Sequence, residues 1–394
     1  MSVLVLIIIY VAFIAVGIPD SLTGTAWPAI YPEFNVPVSF LSIVTTIICG
    51  SVIVSSILSV NALQKLGTAK TTAVSAGLIA AGIFGFSVSP NYLVMCLFAL
   101  LIGAGAGAIN TGLNNYVTLN YHARHLNYLH CFYGVGLMCS TSLLALTIEK
   151  HGWRTGYRWV FFLMAAITAM LFLTIPVWNK EKKQQQELSD EQQEKMPFVQ
   201  MIKTPSIRAM WVAIFMTNAI ECAASTWLTT YLVDARNVSE KWGAIAATMY
   251  FAGLALGRFV SGLVSEKIKT WRRIFIGSVI LIVAVLMLNI PLGSAVTIAA
   301  FCLVGFGNGS LYPNFLHLTP HNFEKKYSGS IMSTEIAIAY SGFMIAPIVF
   351  SFVIKWIGLG AFPVFMAIIL VIMVAALLRA ISLLKKQGRY DLQA

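Results

Sequence analysis

The chain has 394 residues, 58% of them hydrophobic and only 10% charged, with a mean hydropathy of +0.81 and a formal net charge of +11. A soluble domain carries about 25% charged residues, so this composition excludes a soluble fold and indicates a polytopic helical membrane protein. The basic residues sit in short loops between apolar runs, which is the mark of membrane topology and not of a nucleic-acid surface.

Twelve apolar stretches are long enough to cross a bilayer: 4–30, 38–63, 71–89, 92–119, 127–148, 158–178, 208–233, 241–264, 273–291, 295–318, 329–355 and 361–383. A helix needs about 20 apolar residues for this. The apolar amino-terminal stretch lacks the Lys/Arg start of a signal peptide and reads as the first span. Residues 179–206 form the one long polar tract, rich in Gln, Glu and Lys. The expected organisation is therefore an all-α membrane protein: a six-helix bundle over 1–178, a cytoplasmic linker over 179–206, and a second six-helix bundle over 207–394 that ends in a short tail. Only Lys150, Arg154, Arg158, Arg236, Lys241 and Lys355 fall on the side opposite the linker, and Arg258 falls within a span. That bias places both termini in the cytoplasm of a plasma-membrane protein. The six cysteines, Cys49, Cys96, Cys131, Cys139, Cys222 and Cys302, lie in apolar segments without CxxC spacing and read as packing residues.

Polar groups inside the spans are the candidates for function. An ionisable side chain at membrane depth costs roughly 2.5–3.5 kcal/mol or more, so it needs a reason. Asp20, Glu221 and Glu335 are the three acids well inside spans. Asp20 follows Pro19, which removes a helix hydrogen bond, so a kinked or unwound helix is expected there. At 100° per residue Asp20, Thr23, Gly24, Trp27 and Tyr31 share one face, suited to a cavity. Glu221 shares a face with Thr217, Asn218 and Ser225, and Trp227 lies about 120° away. Both would line one cavity only if the seventh span bends or unwinds. Glu335 reads equally as a structural hydrogen bonder or as a proton site.

Further polar positions are Asn110, Asn114 and Asn115 on the fourth span and Asn127, His130 and Tyr133 on the fifth. The tenth adds Tyr312, Asn314 and His317, among glycines and Pro313 that indicate an irregular helix. No Cys/His cluster has metal-site spacing, no Gly-rich phosphate loop stands in a soluble domain, and no nucleophile–base pair appears. No metal, no cofactor and no enzymatic activity are expected. Amides, hydroxyls, Trp and Tyr with few charges suit a neutral polyhydroxylated solute: aromatic faces stack on its C–H side and amides bond its hydroxyls.

Two sets of six spans around a basic linker resemble the major facilitator superfamily. Gly257-Arg258-Phe259-Val260-Ser261-Gly262, continuing to Glu266-Lys267, looks like its cytoplasmic gating motif, in which glycines pack helices closely and charges latch them. Arg258 is accordingly read as a latch, against the simpler reading of an arginine anchored at the membrane surface. Finer motifs resemble the fucose permease-like sugar:proton symporters: Asn110-Thr111-Gly112-Leu113-Asn114-Asn115-Tyr116-Val117, the run from Leu126-Asn127 to Tyr133, and Glu221 with Trp227 and Tyr231. The resemblance implies a proton-coupled sugar importer. It also shows departures. Asn110 stands where that family has its coupling glutamate, Tyr133 stands where it has a sugar-contacting asparagine, and Asp20 lies about one turn before the place held here by Gly24.

The leading expectation is a secondary transporter of a sugar or similar neutral polar solute, a monomer among membrane lipids, with protons as co-substrate. Glu221 is the first proton candidate, with Asp20 and Glu335 behind it. Trp27, Asn110, Asn114, His130, Tyr133, Asn218, Trp227, Tyr231, Tyr312 and Asn314 are the solute candidates. An exporter of amphipathic molecules, suggested by the many Met and Phe residues, and a non-transporting receptor are the rivals.

Overall fold

Hydrocarbon offers no partner for a bare N–H or C=O, so a spanning chain must close its own backbone hydrogen bonds. This chain does so with helices. The computed structural model describes residues 3–120, 123–181, 196–290, 293–324 and 327–389. The helices are α1 (Val3–Glu33), α2 (Leu41–Val88), α3 (Tyr92–Asn120), α4 (Ala123–Glu181), α5 (Phe198–Lys203), α6 (Pro205–Thr230), α7 (Glu240–Leu263), α8 (Thr270–Leu288), α9 (Ser294–Gly309), α10 (Leu311–Asn322), α11 (Ser328–Trp356) and α12 (Phe362–Lys386).

Two of these are too long to cross once. The apolar run Tyr128–Trp178 in α4 has 51 residues, about 76 Å at 1.5 Å per residue, against a core of about 30 Å. It breaks at Gly152, whose φ of 75° only glycine adopts cheaply. Helix α2 breaks in the same way at Gly67, with φ 80°. Each is therefore two crossings, while α9 and α10 make one crossing with an interruption at Ser310. The twelve-crossing layout follows. Residues 182–195 of the expected linker 179–206 lie outside the described residues; its described parts hold the end of α4, the short α5 and the start of α6.

Two local expectations are corrected. Helix α1 stays helical through Pro19, and α6 stays helical from Pro205 to Thr230 before one π-helical turn at Tyr231–Ala235. Neither acid sits on an unwound segment.

Packing repeats between the halves. Helix α1 lies on the first limb of α4 and α6 lies on α11; α2 lies on α3 and α7 lies on α9. Across the halves, α1 meets α6, α4 meets α7, and α2 meets α11. Counted as crossings these pairs interchange on a shift of six, as a pseudo-two-fold requires. Outward faces are apolar at helical spacing, as with Leu93, Leu97 and Leu100, or Val364, Ile368 and Val371, all exposed. This is what a lipid-facing surface needs.

Candidate functional site

The halves meet closely where α1 passes α6. A Cβ on Gly24 would collide with the backbone carbonyl of Ser225. The place one turn beyond Asp20 therefore admits no side chain in this conformation. Asp20 itself is exposed although its neighbours Ile18, Pro19, Ser21 and Leu22 are buried. It stands mid-helix, accepts a hydrogen bond of 2.7 Å from the Tyr133 hydroxyl, and lies near Cys49, Cys222, Glu221 and Tyr340. These residues belong to α1, α2, α4, α6 and α11. An exposed carboxylate in mid-helix, with groups of four other helices near it, implies an internal recess between the halves.

Glu221 is 4% exposed and is not alone. Arg258 Nη2 lies 3.0 Å from each of its carboxylate oxygens, and the guanidinium is also buried. Nη1 donates to the His130 carbonyl at 3.3 Å, across the halves. The guanidinium carbon sits 5.8 Å from the centre of the Tyr133 ring. Tyr133 thus touches both charged elements: its hydroxyl reaches Asp20 and its ring meets Arg258.

Arg258, expected as a latch of the gating motif, pairs with Glu221 of α6. The residue sits near the α7 terminus on the side of the chain ends, but helical side chains lean toward their helix amino terminus. For α7 that direction is the membrane middle, where Glu221 waits. Glu266 and Lys267 are exposed and form no ion pair among the described residues. Gly257 does pack closely, against the Phe306 carbonyl, but Gly262 meets nothing within 4 Å. Close helix approach is the one part of the motif that the geometry shows.

The remaining candidates divide. Tyr312 is half-buried and lies near Tyr340, Glu335, Glu221 and Arg258. Asn110 and Asn114 are half-buried on α3, with Asn114 Nδ2 donating to the Asn110 carbonyl at 2.9 Å. The His130 ring packs edge-on against Phe13. Asn218 is buried and donates to the Ile214 carbonyl, and Asn314 is buried and donates to Ser261 Oγ at 3.0 Å. Glu335 is fully buried and accepts from the Thr319 hydroxyl at 2.6 Å. The side chains of Asn115 and Asn127 lie outside the described residues.

The three other aromatic candidates face away from the recess. Trp27 is fully buried, with Nε1 donating to the Val38 carbonyl at 2.7 Å. Trp227 is fully buried with its ring edge-on to Phe350 at 5.7 Å, and Tyr231 packs against Phe301 and Phe362. For Trp227 the reason is the continuous α6: without unwinding, a residue 120° from Glu221 points into the carboxy-terminal bundle. Sequence reasoning missed Tyr340 and the Glu221–Arg258 partnership. A signal for the pair existed, since one arginine and three acids lie inside spans and a buried charge requires a counter-charge.

At the end of the molecule opposite the chain termini, the halves are bridged. Tyr31 donates to Asp234 at 3.0 Å, and Ser239 donates to Glu149 at 2.8 Å. Closer to the middle, Thr248 of α7 donates to Thr141 of α4 at 2.9 Å.

Known proteins share this layout. The chain is 22% identical over 352 residues to the glucose/mannose transporter GlcP of Bacillus subtilis, covering 88% of this chain and 86% of that one. It superposes with a TM-score of 0.71 at 12% identity on a bacterial homologue of the human lysosomal transporter Spinster, inward-facing and occupied, covering 98% of both chains. With the transporter FucP in its outward conformation the TM-score is 0.63 at 16% identity, covering 96% of this chain and 99% of that one. The family model of the Major Facilitator Superfamily matches residues 9–334. With that match over most of its twelve crossings, the chain belongs to the Major Facilitator Superfamily: it is a multi-pass membrane transporter and not an enzyme.

Proposed function

We propose that the protein imports a sugar or similar neutral polar solute across the plasma membrane by alternating access, coupled to protons, with both termini cytoplasmic. The observation that carries this reading is Asp20, a mid-membrane carboxylate exposed to a recess, with a tyrosine hydroxyl as its hydrogen-bond partner and no cation within ion-pair distance among the described residues. The first sequence choice, Glu221, suits proton uptake less well. Both its oxygens are engaged by Arg258, and protonating it would break the ion pair and strand a buried guanidinium. Glu335 is sealed from the recess.

In this reading Asp20 is the proton site and Glu221 and Arg258 position Tyr133. When Asp20 takes a proton, the charge that Tyr133 serves disappears and its hydroxyl becomes free for a solute hydroxyl. Tyr133, Tyr312, Tyr340 and the amides of α3 are the solute contacts. The glucose and mannose in the name of the Bacillus relative support a sugar. The far-end bridges correspond to the state open toward the termini, and their opening to the opposite state.

The test uses purified protein in proteoliposomes. Asp20→Asn is expected to abolish accumulation of labelled hexose driven by a pH gradient while retaining counterflow exchange. Undiminished gradient-driven accumulation by this variant overturns proton coupling through Asp20. Competition by lipophilic cations and not by hexoses overturns the sugar assignment.

A further inference from the structure

A second polar enclosure lies on the carboxy-terminal side of Arg258, apart from the recess. It is a cavity of about 10 Å³ walled by Arg258, Ser261, Arg273, Ser310 and Asn314, with Pro313 beside them. Helices α7 and α8 and the α9–α10 junction meet there. Glu221 compensates one of its two guanidinium groups. Arg273 is 8% exposed, and no carboxylate among the described residues lies within ion-pair distance of it. Its Nη1 donates to the Ser261 carbonyl at 3.1 Å and to Ser261 Oγ at 3.3 Å, and its Nη2 donates to Thr270 Oγ1 at 2.9 Å. All of these acceptors are neutral. The Nε groups of both Arg258 and Arg273 are buried without a partner.

Two features decide what fits. The walls carry one uncompensated positive charge, that of Arg273, and buried charges are normally paired. The volume is that of a single water-sized occupant, which favours a monatomic ion over phosphate, sulfate or a carboxylate. Ser261 Oγ already accepts from Arg273 and from Asn314 Nδ2, so its own proton is available as a further donor. A water molecule fits the space but leaves the charge of Arg273 uncompensated.

We infer that this cavity is a binding site for one small monovalent anion, chloride in a cell, held between Arg258 and Arg273. The bound ion offsets Arg273 and ties α7, α8 and the α9–α10 junction together.

The test is thermal unfolding of the purified full chain in detergent, followed by tryptophan fluorescence, with sodium chloride exchanged for sodium gluconate at constant ionic strength. The expected result is a saturable rise of Tm with chloride, reproduced by bromide and absent with gluconate or sulfate. Arg273→Gln is expected to abolish the chloride response. Because that variant removes a buried hydrogen-bonding group, a second measurement uses the wild-type protein: bromide-soaked crystals are expected to show one anomalous peak between the two arginines. Equal Tm in chloride and gluconate, a chloride response that persists in Arg273→Gln, or no bromide peak at this position each overturns the site. None of these readouts depends on sugar or proton transport.

Discussion

Arg258 and Glu221 are 37 positions apart and meet with both carboxylate oxygens 3.0 Å from one guanidinium nitrogen. Removing one partner of a buried pair leaves the other charge uncompensated, at a cost of about 3–5 kcal/mol, whereas replacing both by apolar residues is often neutral. Glu221→Leu alone and Arg258→Met alone are therefore expected to lower Tm strongly, and the double variant to recover most of the loss. Additive losses in a detergent melting series would mean that the pair is not a unit. Tyr133 offers a second test at this scale. Tyr133→Phe keeps the ring beneath Arg258 and deletes the hydroxyl on Asp20. It is expected to shift the pH dependence of uptake while leaving Tm nearly unchanged. An unaltered pH profile would separate Tyr133 from proton coupling.

At the scale of the element, α1 and α6 owe their close approach to Gly24. A side chain there meets backbone and not the flexible end of a neighbour, so the helices must separate. Overpacking of this kind costs about 1–3 kcal/mol. Gly24→Val is expected to disfavour the conformation described, lowering uptake and raising thiol-reagent labelling of a cysteine placed at Tyr31. Unchanged labelling would show that the contact does not govern closure of the far end. Continuity of α6 matters in the same way. It aims Glu221 at the site and turns Trp227 toward Phe350, so Trp227→Phe is expected to alter stability more than the apparent affinity for solute in uptake assays.

On the scale of the whole molecule, the bridges Tyr31–Asp234 and Glu149–Ser239 span the halves at the end opposite the chain termini. A disulfide between Glu149→Cys and Ser239→Cys, in a background lacking the six native cysteines, is expected to stop transport and to release it on reduction. Transport that continues with the crosslink complete would mean that the halves need not part there.

The sequence by itself determined the crossings, the division into six and six, and the short roll of charged groups that needed a reason to lie in the membrane. Those features rest on composition and length, which are local: about 20 apolar residues make a span wherever they stand. Asp20, Glu221, Tyr133 and Tyr312 stood out in the sequence as polar positions within such spans. Only the tertiary structure decided that Glu221 belongs to Arg258, that Asp20 opens on the recess, and that Trp27, Trp227 and Tyr231 turn away from it. The motif around Gly257 pointed Arg258 toward the membrane surface, and the lean of a helical side chain took it inward. Pairing between helices depends on their approach and rotation. These are set by contacts such as Gly24 on Ser225 and Gly257 on Phe306, between residues far apart in the chain.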